Sequence, residues 1–524
     1  MKKAGLYILA VILIAAAVVR FIKLDQVPPS LNWDEVAAGY NAYTIANWGA
    51  DEYGNKFPIV FKSFGDDKHP VHIYLTALIV KVFGLSDFSA RAGSAAIGVF
   101  SVAAIYFLAK KLFRSEEAGL FAALFLAVSP YHIHYSRGLW EANFALFFFI
   151  LGITLFLYGV DKKNWMLPAS FASFGLSFFS YHSAKVVVPP VVLVLCILHF
   201  KKIFENKKIL IACVLVGLIL GALVIKNPRI LGLARVDQTS FSKEQFDEYG
   251  GKFQLYSGNY KKYFTFSYLF DKGDQSSRAS VKVIGEFYKI DLVLGILGII
   301  ALLLMRNWQA FAVIFLWLAL SPIPGSVSTF DPSATRGIFM IGPVLLLSGN
   351  GASWIVNLFR KKWMKIGIAT VITVLLSAEA VHYLTYYFTD YAKDNAIEWQ
   401  YGMKDSAIYA LKHPEYVKVY VDKIRQQPYI FFLFYLKTPL PDLLKTVKYD
   451  QTESSSFNTV SSFGRYNFGT WDPIESYPAY EVLYIVTPSY YSGLRYKPEF
   501  DVKKLVKYPN GNDAFYIVSG DRQW

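Results

Sequence analysis

A mainly α-helical, polytopic membrane bundle of about 11 spans, with long extracytoplasmic loops and a small C-terminal α/β domain, is the fold class this sequence predicts. Three observations lead there. The chain of 524 residues is 54% apolar and only 18% charged, against about 25% charged in an ordinary soluble domain. Apolar runs of near-spanning length recur through the first three quarters of the chain. The basic residues gather in alternate short connections between those runs.

A span takes about 20 mostly apolar residues. The candidates are 5–24, 89–109, 118–131, 142–160, 165–182, 185–200, 209–225, 289–305, 309–322, 337–358 and 366–387. Two of them, 118–131 and 309–322, are short and are expected to extend into their flanks. Lys2 and Lys3 set the N-terminus in the cytoplasm, because basic residues stay inside. The other loops test that choice. The segments then inside hold sixteen basic residues against four acids, a net of +12 out of the chain's +14. The three short outer loops hold only Arg137, Lys185 and Arg336. The net charge is therefore a topology signal, and no nucleic-acid partner is expected. Cys196 and Cys213 both lie inside apolar runs, which excludes a disulfide framework or a cysteine metal site.

The segment 70–84, "PVHIYLTALIVKVFG", is apolar but short, and Lys81 interrupts it. Counting it as a span would move every later basic cluster outside. It reads instead as a helix lying in the interface or folded on the bundle, with Pro70 in its first turn. Three long segments then face outward: 25–88, about 226–288, and the tail. The organisation expected is a transmembrane catalytic domain at 1–388 and an extracytoplasmic α/β domain at 389–524. In the tail, 416–421 alternates like a strand, 428–436 suits a packed helix and 482–486 a buried strand. Residues 503–518 read as a hairpin turning at Asn510-Gly511. The protein is expected in a plasma or inner membrane.

Four polar stretches lie on the outer side. In "NWDEVAAGYNAY" Asp34 and Glu35 follow Asn32, and Gly49 closes the segment. Asn32 with Glu35 three residues on is a variant capping box, and acids suit a first helical turn. A cap accounts for Glu35; Asp34 is not needed for one. In "GDDKHPVHIYL" Asp66, Asp67, Lys68 and His69 crowd the start of the interfacial helix. They fit a solvated turn, or a phosphate contact from Lys68 and His69. In "SPYHIHYSRGLWEANF" Arg137 and Glu141 are i, i+4 neighbours if helical. In "SPIPGSVSTFDPSATRGIFMIGP" Arg336 opens the tenth span, as a snorkelling arginine or a functional one. Acids from one loop and cations from several suit an anionic, lipid-linked donor. A carboxylate can act as general base on an acceptor hydroxyl or hold a metal, while cations stabilise a departing phosphate.

The layout resembles the GT-C glycosyltransferases, in the branch of the protein O-mannosyltransferases and the lipid A aminoarabinose transferases. The resemblance rests on Asp34-Glu35 in the first outer loop, on Lys68-His69-Pro70-Val71 at its end, and on "FSARAGSAAIGVFSVAAIYFLAKKLF" with Arg91. It extends to Ser129-Pro130 with Ser136-Arg137, to "YFTFSYLFDKGDQSSR" and to "PSATRGIFMIGP". It covers roughly residues 5–345. Val71 stands where the family pattern has a second proline. The resemblance implies transfer of a sugar, hexosyl or pentosyl, from a polyprenyl-phosphate carrier to a protein, lipid or glycan acceptor outside the membrane, usually with inversion. By matched position Asp34 would be the catalytic carboxylate, with Glu35 assisting or orienting it. Lys68, His69, Arg137 and Arg336 would meet the carrier phosphate, and Arg91 would be structural or lipid-facing. Asp66, Asp67 and Glu141 are accessory candidates, the two aspartates as partners of Asp34 at a possible divalent metal. Two alternatives remain: a ligase or polymerase of the same fold using a pyrophosphate-linked lipid, and a transporter or flippase. The latter is disfavoured because inverted repeats are not seen.

Overall fold

The computed structural model describes residues 3–520 apart from 65, 163–164, 233–240, 330–331, 424–426, 451–459, 470–478, 480 and 496; the side chains of Lys3, Asp66 and Lys162 are also outside it. By contacts the chain divides into two compact units. One is Met1–Ile22 with Ser94–Tyr387; the other is Lys23–Gly93 with Phe388–Trp524.

The first unit is helical. Each of the eleven apolar segments read from the sequence contains a helix. Among the described residues seven helices are long and apolar enough to cross a membrane: Ala4–Phe21, Asp87–Phe113, Glu141–Asp161, Lys207–Lys226, Trp308–Ser326, Ile338–Asn357 and Lys362–Thr389. Two further apolar helices of this unit are shorter, Met166–Phe178 and Ala184–Leu198; a third, Pro70–Phe83, belongs to the second unit. Burial sorts the long ones. In Glu141–Asp161 and Ile338–Asn357, 83% of the spanning window is buried against protein, but in Lys207–Lys226 only 6% and in Lys362–Thr389 only 17%. The first pair forms the centre of the bundle. The second pair presents apolar side chains outward, as a lipid-facing helix must.

Helix ends follow local chemistry. The helix expected to run through residue 131 stops at Val128, where Ser129 adopts an extended backbone before Pro130. A residue before proline is disfavoured in the helical region. A second helix, Pro130–Arg137, starts at once, with Ser129 accepting from the His132 backbone N–H. That helix ends at Arg137, and the next begins at Glu141. A helix break therefore separates Arg137 from Glu141, and the two are not i, i+4 neighbours on one helix. Close packing at the bundle centre needs glycine. A Cβ on Gly298 would lie 2.0 Å from the Leu347 carbonyl oxygen, and one on Gly351 would lie 2.0 Å from the Leu294 carbonyl oxygen. These glycines let Lys289–Leu304 and Ile341–Asn357 approach backbone to backbone.

The second unit joins the first loop to the tail. The loop forms a helix, Trp33–Trp48, then a small antiparallel pair, β1 (Phe61–Ser63) and β2 (Asp66–Lys68), then the helix Pro70–Phe83. Pro70 sits at the first helical turn, as expected. The tail carries a mixed sheet of β3 (Lys418–Asp422), β4 (Lys448–Tyr449), β5 (Val460–Phe463), β6 (Tyr466–Gly469), β7 (Val482–Val486), β8 (Phe500–Lys507) and β9 (Asp513–Gly520). Their order is β4-β5-β6-β3-β7-β9-β8, and β3 runs parallel to both its neighbours. The hairpin β8–β9 turns at Asn510-Gly511, with Gly511 at φ 90°. The helix Pro428–Tyr435 packs on the sheet through Phe432, whose ring is 5.6 Å from that of Phe468. It also meets the first loop. A Cβ on Gly39 would lie 2.6 Å from the Phe434 ring, and the Tyr40 hydroxyl donates to the Thr438 carbonyl at 2.8 Å.

Candidate functional site

In the second unit the site is built around one helix start. The Asn32 side chain accepts from the backbone N–H groups of Asp34 at 2.9 Å and Glu35 at 3.2 Å. Glu35 Oε2 in return accepts from the Asn32 N–H at 3.0 Å. The expected capping box is complete, and Gly49 closes the helix in the left-handed region. The Trp33 N–H is taken by Gln400 Oε1 at 2.9 Å. Gln400 itself is buried and held at φ 51°, a backbone region that a non-glycine residue occupies only under restraint.

Glu35 has a second duty. Both its oxygens face Arg91: Nε to Oε1 at 2.8 Å and Nη2 to Oε2 at 2.9 Å. The same guanidinium donates to the carbonyls of Leu24, Pro28 and Ser30, at 3.2, 2.9 and 2.6 Å. It stacks 5.6 Å over the Trp399 ring. Arg91 and Glu35 are both buried. One arginine thus stitches the proline-rich lead-in to the helix start. Arg91 was expected to be structural or lipid-facing; its complete burial excludes the lipid.

Asp34 points the other way. Its carboxylate lies 2.7 Å from Lys68 Nζ, and the two side chains are 28% and 16% exposed. Lys68 ends β2, and His69 occupies the N-cap position of the next helix without a side-chain cap bond, buried together with His72. Asp67 is half-buried on β2, and the Asp66 side chain lies outside the described residues. Among the described residues no group of three or more His, Cys, Asp or Glu side chains is arranged to hold a metal.

Two acids that the sequence did not single out lie in the same unit. Asp51 accepts from the backbone of Tyr53 and Asn55 in a tight turn. Glu52 is buried, and its Oε1 has no hydrogen-bond partner. Burial, reinforced by the Asp51 charge, pushes the Glu52 carboxyl up to about 8.

In the first unit two arginines, Arg137 and Arg20, are occupied by helix ends. Arg137 donates to the carbonyls of Val19 at 2.6 Å and Ile22 at 2.8 Å. Arg20 donates to those of Leu126 at 3.1 Å and Ala127 at 2.9 Å, and contacts His132 Nδ1 at 2.7 Å. Each satisfies carbonyls that a helix C-terminus leaves open. Arg336 sits on the segment that follows the ninth apolar run. Asp274 Oδ2 accepts from the Ala334 N–H at 2.7 Å, and Glu286 Oε1 accepts from the Asp274 N–H at 3.0 Å. The Tyr135 hydroxyl bonds Thr335 Oγ1 at 2.7 Å, and Ser183 Oγ donates to the Arg336 carbonyl at 3.0 Å. Burial raises both carboxyls, Glu286 far above the ordinary range. The two segments quoted above for the family resemblance, around 263–278 and 332–343, are therefore bonded to one another. The Arg336 backbone is pinned while its side chain is half-buried. Arg278, not selected from the sequence, lies 5.8 Å over the Trp140 ring. Glu141 opens its helix and is half-buried.

Residues 67–225 match the protein-family model for dolichyl-phosphate-mannose-protein mannosyltransferases. Comparison with curated proteins gives no match. Among solved structures the chain is similar to ArnT from Cupriavidus metallidurans in the apo state, at 14% identity and a TM-score of 0.56 over 99% of this chain and 98% of that one. ArnT bound to undecaprenyl phosphate aligns at 14% identity and a TM-score of 0.55, over 98% of each chain. The apo oligosaccharyltransferase of Archaeoglobus fulgidus aligns at 11% identity and a TM-score of 0.51, over 100% of this chain and 75% of that one. These likenesses bear out the resemblance read in the sequence: the chain has the GT-C fold, mainly helical with apolar spans and a small C-terminal sheet region, and is an integral membrane protein.

Proposed function

We propose that this GT-C chain is a glycosyltransferase moving a sugar from a polyprenyl-phosphate-linked donor to an acceptor hydroxyl, with Asp34 as the catalytic carboxylate. The observation that carries the proposal is the split of Asp34 from Glu35. Glu35 is buried in its pair with Arg91, whereas Asp34 is part-exposed on a restrained helix start with Lys68 2.7 Å away. That is a carboxylate held in place yet open to a substrate. The relatives lend support, since ArnT was crystallised with a polyprenyl phosphate bound.

Asp34 takes the acceptor proton, and the acceptor oxygen attacks the anomeric carbon opposite the phosphate. The carbon–oxygen bond to phosphate breaks, and the lipid phosphate leaves with the electron pair. Inversion at the anomeric carbon follows from a single displacement. Lys68 supplies positive charge beside the carboxylate for the departing phosphate. Glu35 and Arg91 act as positioning residues. Arg336 is a separate candidate for the lipid phosphate. The basic loops argue for a cytoplasmic N-terminus, with Asp34 and the domain at 389–524 on the outer side.

The test is incubation of purified protein with radiolabelled polyprenyl-phosphate sugars, following label into protein, lipid or glycan. The Asp34→Asn variant should bind donor while transfer falls by about 10²-fold or more. Wild-type turnover in that variant would sink the assignment. Transfer from a pyrophosphate-linked glycan alone would favour a ligase or polymerase.

A further inference from the structure

The first unit contains a cavity of about 520 Å³ that shares no residue with the candidate catalytic groups. Its volume falls within the roughly 300–1,000 Å³ of ordinary ligand sites. It is walled by the ends of several apolar helices. Lys110, Lys111 and Arg114 come from one helix end, Asp161 from a second, Lys202 from a third, and Asn307 and Gln309 from a fourth. They adjoin connections that the sequence marked as basic. The cavity lies at the far end of the helix Glu141–Lys162 from Arg137, about 30 Å away by helix rise.

Its electrostatics are unbalanced. Four cations, Lys110, Lys111, Arg114 and Lys202, face two carboxylates, Glu116 and Asp161. Asp161 is shared between Lys111 and Lys202, the latter at 2.8 Å. Lys110 lies 3.4 Å from Glu116. Among the described residues Arg114 is paired with no carboxylate. Arg114 is exposed and held at φ 53°, just past the end of the helix Asp87–Phe113. Glycine fills that left-handed position without strain; here it presents a guanidinium to the cavity. His199 and Gln309, hydrogen-bonded to each other, add polar atoms to the wall.

The level in the membrane follows from the neighbours. Trp308, Phe200 and Phe204 are exposed beside these same helix ends. Exposed aromatics at span ends mark the headgroup layer. Basic pockets between spans are where phosphate headgroups are held.

We infer that this cavity binds the phosphate of an anionic membrane lipid, with Arg114 and Lys202 as its principal contacts. A free phosphate has the same chemistry, so the experiment separates the two sources. The full-length protein is reconstituted in nanodiscs of phosphatidylcholine with or without phosphatidylglycerol, and retained lipid is counted by native mass spectrometry. A parallel arm titrates inorganic phosphate against thermal unfolding. The wild type should retain phosphatidylglycerol over phosphatidylcholine. The Arg114→Gln/Lys202→Gln variant should lose that preference at least tenfold, and Arg114→Lys/Lys202→Arg should restore it. Lys361→Gln/Lys362→Gln, which removes exposed cations outside the cavity, should leave it unchanged. Saturable stabilisation by inorganic phosphate, lost in the same double variant, would assign the site to a soluble phosphate. Equal retention of both lipids together with no phosphate response overturns the proposal. So does an equal loss in the Lys361/Lys362 variant, which would mean diffuse surface attraction. None of these readouts involves sugar transfer.

Discussion

Asp34 and Glu35 are consecutive residues on the first turn of one helix, yet their ion pairs differ in kind. Glu35 pairs bidentately with Arg91 in a dry interior, and the guanidinium goes on to satisfy three backbone carbonyls. Asp34 lies 2.7 Å from Lys68, with both side chains partly open to solvent. A buried, multiply bonded pair fails badly when one partner is removed, because the other charge is stranded. An open pair contributes little to stability, so its carboxylate can be exchanged at small cost to the fold. Adjacent acids thus sit in two settings: one holds the loop, and the other is the one proposed to meet the substrate.

The largest effect should come from breaking the buried pair. Arg91→Ala should cost about 3–5 kcal/mol and greatly reduce the yield of folded protein, read by thermal unfolding in detergent. Arg91→Lys should recover only part of this, since an ammonium cannot bond both oxygens and three carbonyls at once. A stable Arg91→Ala protein would erase the distinction between the two pairs. The open pair should behave in the opposite way. Asp34→Asn should leave unfolding within about 1 kcal/mol of wild type while transfer falls by about 10²-fold or more.

Arg336→Ala sharpens the contrast from the other unit. It should raise the donor KM about tenfold with folding intact, the scale expected for one hydrogen bond to a charged phosphate. Unchanged donor kinetics would remove Arg336 from the phosphate site.

Glu52 supplies a third kind of acid, buried without a cation. Its carboxyl titrates near 8 in the folded chain and near 4.5 when unfolded. Between those values the folded state holds the extra proton, so this contribution is complete below about pH 4.5, falls as pH rises, and is gone above about pH 8. Glu52→Gln should flatten that slope and stabilise the protein at pH 8, measured by unfolding across pH. A slope unchanged in the variant would place the titration elsewhere.

Much of this architecture was legible from local pattern. Apolar length located the eleven helical segments, Asn32-x-x-Glu35 announced the capping box, and Asn510-Gly511 the hairpin. Pro130 did not yield its helix break, because the apolar run continues across it. Nor did local pattern show that the first loop packs on the tail through Gly39 and Phe434, nearly 400 residues apart. Of the site, Asp34, Lys68 and Arg336 could be selected as polar residues in outer loops. Gln400 and Glu52 could not, since nothing in their neighbouring sequence distinguishes them, and within the segment 263–278 nothing set Asp274 and Arg278 apart from the other polar residues.

The sequence by itself determined what depends on short range: hydrophobic length, helix caps, turn chemistry and the placement of basic residues between spans. Tertiary structure alone decided which charge meets which. Glu35 finds Arg91 across 56 residues, Asp34 finds Lys68 across 34, and Trp33 finds Gln400 across 367. Residues so far apart carry no local record of one another. Only the packed chain places one acid in a dry, saturated pocket and turns its neighbour toward solvent.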